Sequence, residues 1–377
     1  MKYPFLDLGA LNEPLRPELE DAALRVIRSG RYIGGEEVEA LESDLSSMLE
    51  AQYVIGVSNG LDALRLIIRG YIELGRMKPG DEIIVPGNTY IASLLAVSDN
   101  GLIPVPVDPD MATMNLDPQC VEAAITPRTR AIMTVHLYGR TAWDDELRRI
   151  AAEHDLIVIE DCAQAIGAKS STEGIFSSHH AGALGHAGAI SFYPTKNVGA
   201  LGDSGAVVTH DKNLAAAVRA LANYGSDRRY HNIYRGLNCR LDPLQAAMLR
   251  VKLKHINEEN SSRQINARIY DENISHPAII KPLIPLRSDE CVWHQYVIRV
   301  PADRRDSFRD QLARHGVGTD IHYATPPHLQ PCYSTLPHGP LPITERLAGE
   351  VVSLPVTSAT TPDDVAEISA IINSINL

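Results

Sequence analysis

Short apolar runs punctuate the first two thirds of the chain, separated by polar, helix-prone segments. They lie in YVIGV (53–57), DEIIVP (81–86), GLIPVPVD (101–108), RAIMTVHLYG (130–139) and DLIVIED (155–161), then in AGAISFY (187–193) and GAVVTH (205–210). Each is too short for a helix, and most are apolar without alternation. Such strands need cover on both faces, as in a parallel sheet. Between them the period changes. After Gly60, Leu61, Leu64, Ile67 and Ile68 share one helix face, and DDELRRIAAEH (144–154) is a second helical stretch. Strands alternating with helices predict an α/β fold with a mostly parallel sheet covered by helices.

From Asp242 the pattern becomes one long helix, DPLQAAMLRVKLKHINEENSSRQINARIYDENI. A strand (292–300), a helix (306–316) and a terminal helix after Pro362 follow. This predicts a large domain over 1–241 and a smaller α+β domain over 242–377. There is no repeat, low-complexity tract or long linker, so the two are expected to pack closely.

Charge and composition narrow the function classes. The net charge of −12 argues against general affinity for nucleic acid or anionic membrane. An anionic small substrate needs a local basic pocket instead. No apolar run approaches a membrane span, and MKYPFLDLGALNEP has no long apolar core of a secretory signal. The five cysteines are odd in number and scattered, which fits reduced thiols in the cytoplasm better than a disulfide framework or a zinc site.

Ligands of open α/β sheets bind beyond the carboxyl ends of the strands, and four features fall there. Asp161 directly follows LIVIE, where a carboxylate either points into the crevice or caps a turn. Ser58-Asn59-Gly60 lies between a strand and a helix; free amides there form an anion site, and Ser58 or Asn59 equally suits plain N-capping. Tyr90, in PGNTYIA, either stacks on a planar ligand or packs in the core. Lys196 sits in SFYPTKNVGALGDSGA among small and apolar residues. A lysine kept neutral by burial is a nucleophile toward carbonyls; the plainer reading is a lysine snorkelling from a strand end. An amine, an acid, a phosphate cradle and an aromatic lid are together what pyridoxal phosphate needs.

At this point the chain resembles the DegT/DnrJ/EryC1/StrS sugar aminotransferases, which have the fold type I pyridoxal-phosphate architecture. The resemblance runs from PFLDL at Pro4 to SLPV at Ser353, through SNGLDAL, GDEIIVPGNTYIA, AAITPRTRAIM, HLYG, EDCAQAIGA, SFYPTKNVGALGDSGA and NCRLDPLQAAML. It implies that Lys196 holds the cofactor covalently and then shuttles the proton, and that Asp161 pairs with the pyridine nitrogen. It further implies that Gln164 bonds the phenolate oxygen, Tyr90 covers the ring, and Asn59, Gly60 and Ser191 hold the phosphate. Asn238 reaches the phosphate of a neighbouring subunit, which implies a homodimer with its sites at the interface. L-glutamate donates the amine, leaving pyridoxamine phosphate, and a nucleotide-linked oxo-sugar receives it.

The sugar diphosphate needs positive charge. YGSDRRYHN supplies Arg228, Arg229 and His231, whose plainer reading is a solvated loop. His322, Tyr323 and the Tyr32 loop lie where the family places residues near the sugar. Relatives acting on 4-oxo sugars often read TKNTTGEGG after the lysine. TKNVGALGDSGA resembles instead those acting on dTDP-linked 3-oxo-6-deoxyhexoses or 3-oxo UDP-sugars, and the first is the expectation, in deoxyaminosugar or lipopolysaccharide O-antigen synthesis. A 4-oxo sugar stays the alternative, since some such enzymes also carry GALGD. A sugar dehydratase of the same fold generally has histidine in place of Lys196. A non-catalytic nucleotide-sugar binding or regulatory homologue is the reading from another class. Two departures stand out. The 168–187 connection is long and carries His179, His180 and His186, read as an exposed polar loop rather than a metal site. Ile166 replaces a polar or aromatic residue of many relatives, which puts local substrate contacts in question.

Overall fold

The seven apolar runs become neighbours in one sheet. In the computed structural model, which describes residues 1–377, the strands are β1 (Tyr53–Val57), β2 (Glu82–Pro86), β3 (Ile103–Val107), β4 (Thr129–Val135), β5 (Ile157–Asp161), β6 (Ala187–Ser191) and β7 (Gly205–Thr209). Their order is β1-β7-β6-β5-β4-β2-β3. All run parallel except β7, which is antiparallel to both its neighbours. Residues 192–204 join β6 to β7 without a crossover helix, and such a link returns the chain antiparallel.

Both faces are covered, as runs without alternation require. On one face the helix Gly60–Glu73 packs Leu64, Ile67 and Ile68 against Ile83, Val85, Met133 and Val207. On the other, Leu41 and Leu45 of the helix Glu36–Leu49 meet Val208, Phe192 and Leu249. Val207 and Val208 thus serve opposite cores, following the two-residue period of a strand.

A hairpin of β8 (Ser226–Arg228) and β9 (His231–Asn232) projects from the large unit. Beyond it, β10 (Tyr296–Arg299) and β11 (Val351–Leu354) pair antiparallel. Tyr270, Tyr296, Phe308 and Ile368 form a separate core around them, which Tyr3 of the amino terminus joins.

Two local expectations change. The stretch after Asp242 is two helices, Pro243–Leu253 and Ile256–Asn273, rather than one. The first packs on the helices Arg16–Ser29 and Glu36–Leu49 and the second on Pro362–Ser374, so the bend at Lys254–His255 lets each half bury against its own partner. The 168–187 connection is not an exposed loop. Gly174, Ser178, His180 and Leu184 are buried, and the amides of Gly182 and Gly185 each donate to the Glu160 carboxylate at 2.7 Å. Its histidines have separate partners: His179 lies against the Ser170 carbonyl, and the Val158 amide donates to His186.

Candidate active site

The site gathers where the parallel strands end. Asp161 is the last residue of β5 and Ser191 the last of β6. The Asp161 carboxylate is buried and accepts from the Ser93 hydroxyl at 2.8 Å and the Ala163 amide at 3.2 Å. Behind it, Glu160 and His136 are fully buried. The Ala142 amide donates to His136 Nδ1, so Nε2 carries the proton and donates to Glu160 at 2.8 Å. This pair joins the ends of β4 and β5 to the 168–187 connection.

Lys196 lies in the tight link after β6. The Phe192 amide donates to Ser204 and the Ala200 amide to Phe192, both at 2.8 Å. A Cβ on Gly199 would lie 2.2 Å from the Pro194 carbonyl, so only glycine fits. Burial lowers the Lys196 ammonium to about 8, against the pull of the Asp161 carboxylate. At that value about a tenth of the amine is neutral at pH 7, far more than for an ordinary lysine.

The anion cradle is built by close approach. Asn59 caps the helix Gly60–Glu73; its side chain accepts from the Asp62 amide at 2.8 Å and donates to the Asp62 carboxylate at 2.9 Å. With that side chain engaged, the backbone amides at the helix start are what an anion meets. A Cβ on Gly60 would lie 2.6 Å from the Ser191 Cβ, so the helix start and the Ser191 hydroxyl share one small space.

Gln164 is oriented from both ends. The Tyr138 amide donates to its Oε1 at 2.6 Å, and its Nε2 donates to the Tyr323 hydroxyl at 3.1 Å. The Tyr90 ring, half exposed, lies 5.3 Å from that of Tyr323. Burial first, then the Asp161 charge, pushes the Tyr323 hydroxyl upward, so it stays protonated. His322 is held by the Ser353 hydroxyl at 2.8 Å, and its pKa is lowered by burial.

Lys196, Asp161, Gln164, Ser191, Gly60, Asn59, Tyr90, Tyr323 and His322 are thus linked by hydrogen bonds, ring contact, charge or close approach. The remaining candidates are exposed and bonded elsewhere, or not at all. Arg228 and Arg229 stand on the hairpin, where Arg229 stacks on Tyr230 and His231 pairs with Asp227 at 2.6 Å. The Tyr32 hydroxyl donates to the Ile27 carbonyl, and Asn238 is exposed. Ile166 is buried in the core beneath the sheet, so its side chain is a packing residue and the question it raised about substrate contacts falls away. Ser93, Tyr138, His136 and Glu160 were not among the candidates: HLYG and EDCAQAIGA contain three of them, but no residue chemistry there announced the contacts they make.

An amine held partly neutral, a carboxylate close enough to act on its charge, an amide, an aromatic ring and an amide-lined anion cradle suit a planar phosphorylated aldehyde, and the residues present fit pyridoxal phosphate. Comparison with known proteins agrees. The model of the DegT/DnrJ/EryC1/StrS aminotransferase family matches residues 14–373. The chain is similar to a dTDP-3-amino-3,6-dideoxy-alpha-D-galactopyranose transaminase of Aneurinibacillus thermoaerophilus, 46% identical over 371 residues and 98% of each chain. It is also similar to the erythromycin biosynthesis sensory transduction protein EryC1 of Saccharopolyspora erythraea, 47% identical over 359 residues and 94% of each chain. Among solved structures, that of S. venezuelae DesV in complex with a ketimine intermediate superposes with a TM-score of 0.92 at 43% identity, over 98% of this chain and 97% of the other. The chain belongs to the DegT/DnrJ/EryC1/StrS aminotransferase family of pyridoxal-phosphate-dependent enzymes.

Proposed function

We propose that this enzyme moves the amino group of L-glutamate to carbon 3 of a dTDP-linked 3-oxo-6-deoxyhexose. The products are 2-oxoglutarate and a dTDP-3-amino-3,6-dideoxyhexose. The observation that carries the reading is Lys196, partly buried in the tight link after β6 and within range of the Asp161 charge, with desolvation lowering its ammonium to about 8. The GALGD sequence after that lysine and the printed activity of the Aneurinibacillus relative support carbon 3 and dTDP.

Pyridoxal phosphate, when bound, supplies a carbonyl that condenses with primary amines and a ring that takes up electrons. The chain's residues do the rest. Lys196 Nζ would hold the cofactor and would act as the base that takes the proton from the donor's α carbon and later returns it. Asp161 keeps the ring nitrogen protonated, with Ser93 fixing its carboxylate. Gln164 Nε2 would donate to the phenolate oxygen, Tyr90 would cover the ring, and the Gly60 amide, Asn59 backbone and Ser191 hydroxyl would hold the phosphate. His322, Tyr323 and Tyr32 border the sugar, while Arg228, Arg229 and His231 meet its diphosphate. The hairpin and Asn238 are exposed, which fits a homodimer in which they complete the neighbouring site. Five unpaired thiols fit a cytoplasmic setting, and no helix is long and apolar enough to cross a membrane.

Borohydride reduction of the yellow protein, followed by peptide mass spectrometry, tests the anchor. Cofactor fixed on Lys196 supports it; cofactor fixed elsewhere, or a colourless protein that cannot be reconstituted, contradicts it. The printed name of the Saccharopolyspora relative favours a second reading, a sensory or regulatory protein. Bleaching by L-glutamate separates the two, because a purely regulatory protein has no use for a donor.

A further inference from the structure

A cavity of about 150 Å³ lies beside the lysine, walled by Thr195, Arg263, His294, His322, Asp320 and Phe5 among others. That is well above the roughly 10–15 Å³ that admits one water. Thr195 precedes Lys196 in the chain, and His294 and His322 both feel the Lys196 charge.

Arg263 is the unusual member. It is 3% exposed, yet it makes no ion pair. Its Nη1 donates to the carbonyls of Trp293 and His294 at a long 3.4 Å each, its Nε is buried without a partner, and its Nη2 has no hydrogen bond within the chain. Burial lowers the guanidinium to about 10, with Glu259 opposing. The Glu259 carboxylate itself accepts from the Ser358 hydroxyl. A guanidinium offers five donors and stays charged, and a buried charge without an acid is costly unless a ligand completes it.

The other walls do not supply that acid. His294 donates from Nδ1 to the Asn197 side chain at 2.9 Å, and burial with the nearby Lys196 and Arg263 keeps it neutral. Asp320 is 57% exposed and 3.8 Å from His322 Nε2, so it is solvated and turned to another partner. The unanswered donors at Arg263 call for an anion small enough for the cavity, whose wall includes Thr195, the neighbour of Lys196 in the chain.

We propose that Arg263 binds a carboxylate of the amino-acid donor, making this cavity the donor subsite. The inference rests on reading the protein as a glutamate-using aminotransferase. It separates the two substrates: donor carboxylate on Arg263, sugar diphosphate on the exposed hairpin.

The test is calorimetric binding of glutarate, an unreactive dicarboxylate, to the cofactor-loaded protein, together with separate measurement of each half-reaction. Arg263→Gln should weaken glutarate and raise the L-glutamate concentration for half-maximal bleaching by about tenfold or more, as expected for a lost charge-assisted pair. The sugar half-reaction, started from the pyridoxamine form, should change by less than about threefold: His322 borders both substrates, but the diphosphate that anchors the sugar binds at the hairpin and not at Arg263. Arg263→Lys keeps the charge without the fork and should fall between. Unchanged glutarate binding in a folded variant overturns the proposal. So does a wild-type protein that bleaches with glutamate yet binds no glutarate, which also covers the case in which Arg263→Gln does not fold. A wild-type protein that never bleaches with glutamate contradicts the aminotransferase reading itself, which is a different failure.

Discussion

Gly60 and Ser191 approach so closely that a methyl group on Gly60 would lie 2.6 Å from the Ser191 Cβ and 3.2 Å from its Oγ. The contact locks the helix Gly60–Glu73 to the end of β6, and the proposed phosphate cradle lies between them. Gly60→Ala should push Ser191 aside and weaken cofactor retention by about tenfold, with a loss of roughly 1–3 kcal/mol of stability from overpacking. Fluorescence titration of the apoprotein with pyridoxal phosphate measures the first and urea unfolding the second. Wild-type affinity in the variant would remove this cradle from the account.

The Lys196 amine should set a pH dependence. Only the neutral amine attacks a carbonyl, and its fraction grows about tenfold per pH unit below its pKa. Covalent attachment of added cofactor to the apoprotein should therefore speed up with pH and level off above about 8. Asp161 pulls that pKa upward, so Asp161→Asn should move the break lower while turnover collapses. Stopped-flow absorbance across pH reads both. A break near the ordinary lysine value of 10.5 would contradict the burial.

Glu160 accepts from His136, Gly182 and Gly185 at zero exposure. Glu160→Ala leaves those donors buried without a partner and should cost about 3–5 kcal/mol, by analogy with broken buried pairs. The loss should appear in urea unfolding of the apoprotein, together with faster amide exchange in 168–187. A loss below about 1 kcal/mol would mean that water replaces the carboxylate.

The strands were legible as apolar runs, and Asp161 stood out as a candidate because it directly follows LIVIE; Ser191, at the end of AGAIS, and Gln164 came only from the family resemblance. Lys196 was legible because a charge among small and apolar residues has few structural uses. The rest depends on long-range contact. His136 meets Glu160 across 24 positions and Arg263 meets Trp293 across 30, and neither segment has a pattern that announces the other. The break at Lys254–His255 was hidden because both halves are good helix sequence, and only their different partners divide them. The buried course of 168–187 was hidden for a related reason: its small polar residues look solvated until Glu160 receives their amides.

The hairpin arginines make a separate prediction. Replacing Arg228 and Arg229 together by alanine should raise the dissociation constant for dTDP by about tenfold or more and flatten its salt dependence, since exposed charges act through screened attraction. The glutamate half-reaction should stay within about twofold, because donor and diphosphate bind apart. Loss of both half-reactions together would place the hairpin in the fold rather than in recognition.

The proposed reaction is amine transfer to carbon 3 of a dTDP-linked oxo-sugar. The most direct measurement incubates the cofactor-loaded protein with nitrogen-15 L-glutamate and a dTDP-3-oxo-6-deoxyhexose, with the 4-oxo isomer in parallel, and locates the label by NMR. Label should appear on carbon 3 of the first sugar, with little or none in the second. Label on carbon 4 of the second sugar alone, or no transfer to either, would contradict it.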